Sequence, residues 1–134
     1  MIFPYLSIPP DDVSRPLLRV TLFGALGEDE QQMIVDSGAD ISVMPARIAR
    51  ELGMPLNAGQ SDSFEVADGT MAQAVVLDIA VETCGERFVL PVAFLERDNI
   101  SPLLGQRGFF DRFEIRFRRS DGEFEVLPRK AERL

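Results

Sequence analysis

The sequence predicts an all-β protein, a small β-barrel or sandwich with one or two short helices. Short apolar, β-branched runs recur along the chain. Turn signals separate them about every ten residues. Only two stretches carry helix signals, and both are brief. No linker-like composition divides the 134 residues, so one domain spanning 1–134 is expected.

Residues 1–16 read as an extended arm, broken by Pro4, Pro9 and Pro10 and acidic at Asp11 and Asp12. Arg15 to Phe23, "RPLLRVTLF", is apolar enough for a strand. "GALGEDE" reads as a turn, with Glu28, Asp29 and Glu30 in a solvated loop. "QQMIV" forms a second strand that delivers Asp36. "PARIARELG" carries the clearest helix: Pro45 suits a first turn, Ile48 and Leu52 are spaced i, i+4, and Gly53 sits where a helix stops.

"DSFEVADGTMAQAVVLDIAVE" predicts two strands around Asp68-Gly69, a strong hairpin signal. Val75, Leu77, Ile79 and Val81 share one face. "CGE" turns the chain, and Cys84 there is incidental. In "RFVLPVAFL" Phe88, Leu90, Val92 and Phe94 share a face, and Pro91 marks an edge or an irregularity. "SPLLGQRGFFDRF" predicts a short helical stretch, with Phe109 and Phe110 in the core. "EIRFRR" and "EFEVL" flank Ser120-Asp121-Gly122 as a final hairpin, so 119–134 is hairpin and tail.

The totals exclude several classes of chemistry. Hydrophobic residues make up 46% and charged residues 27%, the composition of a folded globular chain. The net charge of −8 argues against nucleic acid and against anionic membranes. With no histidine and a single cysteine, Cys84, serine–histidine, cysteine–histidine and most zinc sites are ruled out from this chain alone. No metal and no cofactor is expected; the spacing of Glu28, Asp29 and Glu30 does not fit a calcium loop. "MIFPYLSIPPDD" lacks the basic start of a secretory leader, and no run is long enough to span a bilayer, so a cytoplasmic protein is expected.

Residues 34–45 read "IVDSGADISVMP". A carboxylate enclosed by apolar residues is costly to bury without a partner. Asp36 could be an ordinary turn-capping aspartate. Two further segments argue otherwise: the "VADGT" hairpin, and "PLLGQRGFFDRFEIRF" toward the C-terminus.

Together these three segments resemble the retropepsin-type, single-lobed aspartic proteases, over most of residues 17–118. The resemblance implies a small closed barrel that works as a homodimer. It makes Asp36 catalytic and Ser37, Gly38 and Ala39 its active-site loop. Gly38, Asp40, Ala67, Asp68 and Gly69 would contact an extended peptide or protein substrate, the last three from a mobile flap. Leu103, Leu104 and Gly105 would support the loop from below. Val66, Ala67, Ile100 and Leu103 would shape an apolar side-chain preference.

The chemistry needs two carboxylates. Side by side they cannot both ionise easily, so the pair holds one proton. The ionised member takes a proton from water, and the protonated member donates to the scissile carbonyl. No second Asp-Ser-Gly or Asp-Thr-Gly exists in this chain. A two-fold axis would bring two copies of Asp36 together. The interface is expected from the arm (Ile2, Phe3, Tyr5, Leu6) or the last strand (Phe124, Val126, Leu127). The rival is a peptide-binding or dimerisation module of the same fold that does not cleave.

Overall fold

The computed structural model describes residues 1–10, 12–66 and 68–129. Asp11, Ala67 and Lys130–Leu134, including the end of the expected tail, lie outside the described residues. The fold is mostly β. The strands are β1 (Ile2–Pro4), β2 (Leu17–Gly24), β3 (Gly27–Val35), β4 (Ser42–Pro45), β5 (Gln60–Glu65), β6 (Met71–Thr83), β7 (Glu86–Leu95), β8 (Leu103–Leu104), β9 (Phe113–Arg118) and β10 (Glu123–Pro128). One α-helix, α1 (Ala46–Glu51), is found among the described residues, with short 3-10 turns at Leu56–Ala58 and Arg119–Asp121.

The larger sheet runs β2-β3-β8-β4-β7-β6-β5, and β6 also pairs with β2, so the succession of ladders returns to its start. The second sheet runs β1-β10-β9. Inward side chains from both sheets meet in one cluster that includes Val20, Leu22, Met33, Leu90, Phe94, Phe109, Phe113 and Phe124. Each large apolar side chain buried there contributes roughly 1.5–3 kcal/mol before the entropy of ordering it.

Local signals explain most elements. Pro45 is the N-cap of α1, Ile48 and Leu52 are buried, and Gly53 takes φ +68° just past the end. Cys84 and Gly85 both have positive φ, the backbone a two-residue hairpin between β6 and β7 requires. Pro91 sits immediately before the stretch where β7 gains β4 as a second neighbour, so its missing N–H interrupts no ladder on that side.

Three expectations are corrected. Glu28, Asp29 and Glu30 are not in a loop: they lie on β3, opposite Phe23, Leu22 and Thr21 of β2, with their side chains exposed. The turn is shorter, closed by the Gly24–Gly27 pair, and pairing with β2 overrides the poor strand propensity of acidic residues. The arm is not merely extended: β1 pairs with β10, and Leu6 bridges to Arg15. The helix expected after Leu104 does not form. Gly108 is left-handed at φ +85°, against the Pro91 ring, and residues 106–112 make irregular turns instead.

Candidate active site

Strand β3 carries the chain to Asp36. Its end lies parallel to β8, with Ile34 opposite Leu103 and Val35 opposite Leu104. The Asp36 N–H continues this ladder by donating to the Leu104 carbonyl at 3.0 Å. The chain then turns sharply. The Gly38 N–H donates to Asp36 Oδ1 at 2.9 Å, and the Ala39 N–H to the Asp36 carbonyl at 3.2 Å. One carboxylate oxygen is therefore oriented by its own loop. A Cβ on Gly38 would lie 3.2 Å from that same oxygen, so glycine keeps the approach unstrained.

The segment after β8 locks the loop from beneath. The Gly105 N–H donates to Ser42 Oγ at 3.1 Å, and Ser42 is fully buried. A Cβ on Gly105 would lie 2.6 Å from the Ile41 carbonyl carbon and oxygen, so the two backbones meet only because residue 105 has no side chain. Gln106 Nε2 donates to the Ser37 carbonyl at 2.7 Å, and the Gln106 and Arg107 N–H groups donate to the Ala39 and Asp40 carbonyls at 2.8 and 3.0 Å.

A cleft of about 660 Å³ opens above this loop. Asp36, Gly38, Ala39 and Asp40 line it on one side, and Phe64, Glu65 and Val66 of the β5–β6 hairpin on the other. Ile41, Val43, Leu95, Ile100 and Leu103 give it apolar walls. Beneath the hairpin, Ala72, Ala74 and Ala93 pack with Ile41 and Leu95 in a small separate cluster. Their short side chains limit how far the core fills the space under the hairpin.

The hairpin tip is ordered by its own side chains. Asp68 Oδ1 accepts from the Thr70 N–H at 2.9 Å and from the Thr70 hydroxyl at 2.6 Å, and Gly69 takes φ +84°. The Thr70 hydroxyl bond, then its N–H, hold the Asp68 carboxyl below the usual aspartate value, and the Arg97 charge adds to this.

Of the residues singled out in the sequence, Asp36, Gly38, Ala39, Asp40 and Leu103 meet in the cleft. Ser37 is exposed beside them, while Leu104 and Gly105 are buried below. Val66 and Ile100 also line the cleft. Asp68 and Gly69 stand at the hairpin tip, outside the cleft lining, and Ala67 lies outside the described residues. Ser42, Phe64, Arg97 and Gln106 belong to the site or its supports and were missed. Only Phe64 had a signal in the sequence, as an aromatic on a strand flanking the hairpin turn.

The topology defines the class. A single Asp-Ser-Gly loop, held by a Leu-Leu-Gly segment and roofed by one hairpin, is the architecture of a single-lobed aspartic protease fold. The chain belongs to the retropepsin-like family: the model described as "gag-polyprotein putative aspartyl protease" matches residues 24–110. The crystal structure of a retropepsin-like aspartic protease from Rickettsia conorii aligns with a TM-score of 0.67 at 18% identity, covering 95% of this chain and 97% of that one. At that identity the likeness speaks for the fold alone. No curated protein matches the chain in sequence.

Proposed function

We propose that this protein is an aspartic endopeptidase whose site is completed by a second copy of the chain, each subunit a closed barrel contributing one Asp36. The observation that carries this reading is the placement of Asp36: a half-buried carboxylate, oriented by the Gly38 N–H, facing an apolar cleft under a hairpin. A water between the two Asp36 carboxylates loses a proton to one while the other protonates the scissile carbonyl. The peptide lies extended beneath the hairpin as an added strand, recognised through its main chain by Gly38 and Asp40. Val66, Ile100 and Leu103 favour apolar side chains near the cut.

In such a dimer the interface would use only part of the arm and last strand. Phe124 and Val126 are fully buried in their own subunit; Phe3 stacks on Phe124 at 5.5 Å and Tyr5 meets it edge-on at 6.0 Å. Those side chains are consumed within one chain. Ile2 and Leu6 remain 59% and 41% exposed and are available to a second copy.

Peptide-library digestion at several dilutions, with Asp36→Asn as control, tests this. The variant should lose at least about 10³-fold in kcat/KM, in line with removal of a general acid–base group. The rate should vary with the square of concentration at high dilution, because the site exists only in the dimer. Cleavage that survives Asp36→Asn overturns the proposal. So does a rate strictly proportional to concentration in a preparation shown to be monomeric.

A further inference from the structure

We propose that Arg97 is a latch between the flap hairpin and the wall of the cleft, and so a positioning residue for peptide capture. Its role in capture rests on the protease reading above; its role as a latch does not.

The chain leaves β7 through Glu96-Arg97-Asp98, three consecutive charges. The backbone bends at Glu96 and again at Asp98, which fans the three side chains in different directions. Glu96 accepts from Arg50, and Asp98 pairs with Arg47 at 3.9 Å; both arginines lie on α1. Arg97 points the other way, to the hairpin tip. Its Nη2 donates to Thr70 Oγ1 at 2.8 Å, and its Nη1 lies 3.6 Å from Asp68 Oδ2.

The polarity of these bonds is consistent along the chain of groups. The guanidinium donates to the Thr70 oxygen, and the Thr70 hydroxyl spends its own proton on Asp68 Oδ1. The planar guanidinium fork serves both tip residues at once, which a lysine ammonium does less well. The same segment continues into Asn99, Ile100 and Ser101, which line the cleft. Where the β6–β7 ladder ends, with the Glu96 N–H donating to the Gln73 carbonyl at 3.3 Å, Arg97 adds a side-chain tie from the wall to the tip of the roof, and the wall is tied to the helix that follows the Asp36 loop through β4.

The strength suits the task. Asp68 is 62% exposed and Arg97 30%, and exposed pairs are weak and salt-screened. A roof held this way opens and recloses without disturbing the core. Arg97 is not among the residues lining the cleft, so any effect on substrate passes through the hairpin.

The test uses the full chain with Arg97→Ala, Arg97→Lys, Thr70→Val and the Arg97→Ala/Thr70→Val double variant. Backbone hydrogen exchange across residues 60–72 should quicken by about fivefold in Arg97→Ala, near the most that exposed pairs sustain. Arg97→Lys should fall between that and the native protein, and exchange in β3 and β7 should not change. The double variant should exchange more slowly than the two single effects multiplied together, because the Arg97–Thr70 bond is lost in either single variant, while Thr70→Val also removes the bond to Asp68. On a cleaved peptide, KM should rise with kcat nearly constant. Native exchange rates in Arg97→Ala, or full additivity in the double variant, overturn the latch. A fall in kcat at constant KM overturns its role in capture. A native protein that cleaves no peptide defeats the protease reading, while exchange still decides the latch.

Discussion

The two sides of the cleft are held by different kinds of bond. The Asp36 loop is fixed by backbone ladders and neutral hydrogen bonds, the deepest of them buried: Asp36 N–H to Leu104, Gly105 N–H to Ser42. The hairpin tip closes on two backbone bonds, Val66 N–H to Thr70 and Gly69 N–H to Val66, and is otherwise braced by side chains at the surface, two of them charged: Asp68, Thr70 and Arg97. Buried bonds are costly to break, because each leaves an unsatisfied group in a dry site. Exposed ion pairs exchange readily for water. By this reckoning the floor should be the stiffer side and the roof the looser one, and that contrast can be broken from either side.

The largest expected effect is on the floor. Gly105→Ala puts a methyl 2.6 Å from the Ile41 carbonyl, where the obstacle is backbone and not a flexible side-chain end. The loop must shift, and the cost should be about 3 kcal/mol, at the upper end for overpacking. Urea denaturation measures it. A loss below about 1 kcal/mol would show that the loop yields easily and that the floor is no stiffer than the roof.

Ser42→Ala comes next. It leaves the Gly105 N–H without its partner in a fully buried position, at a cost of about 2 kcal/mol. Amide exchange at Gly105 should rise with it. Gln106→Ala removes an exposed neutral bond to the Ser37 carbonyl and should cost only about 0.5 kcal/mol, yet it frees the loop beside Asp36. On the proposed protease activity, its loss of cleavage should therefore exceed its loss of stability. Equal proportional losses would mean that Gln106 holds the fold and not the loop.

What could be read in the sequence follows the same division. Asp36, Gly38, the hairpin at Asp68-Gly69 and the helix from Pro45 to Gly53 announce themselves through neighbours close in sequence. Ser42 does not, because its role depends on Gly105, 63 positions away. Arg97 looks like one more surface charge until folding brings Thr70, 27 positions off, to its guanidinium. The stretch after Leu104 carries helix-forming residues, but Gly108 packs against Pro91 in a left-handed conformation that the local pattern does not encode. Glu28 to Glu30 read as loop because propensity is local, whereas pairing with β2 is tertiary.

The smallest effect belongs to the roof and concerns pH. The Asp68 carboxyl is held below its ordinary value of 3.8 by the Thr70 hydroxyl and N–H, with Arg97 nearby. A depressed folded value means that the contribution is present above the unfolded value and is lost as pH falls through the folded one. The tip should therefore stay ordered through mildly acidic conditions and loosen only below 3.8. The Thr70 amide shift, followed by NMR, should titrate with a midpoint under that value. Asp68→Asn should abolish the titration and leave the global denaturation midpoint unchanged within error, because the group is exposed and touches no core. A midpoint at or above 3.8 would mean that the carboxylate is not held by Thr70 in solution, and the roof would then lack the internal bracing that lets a single arginine grip it.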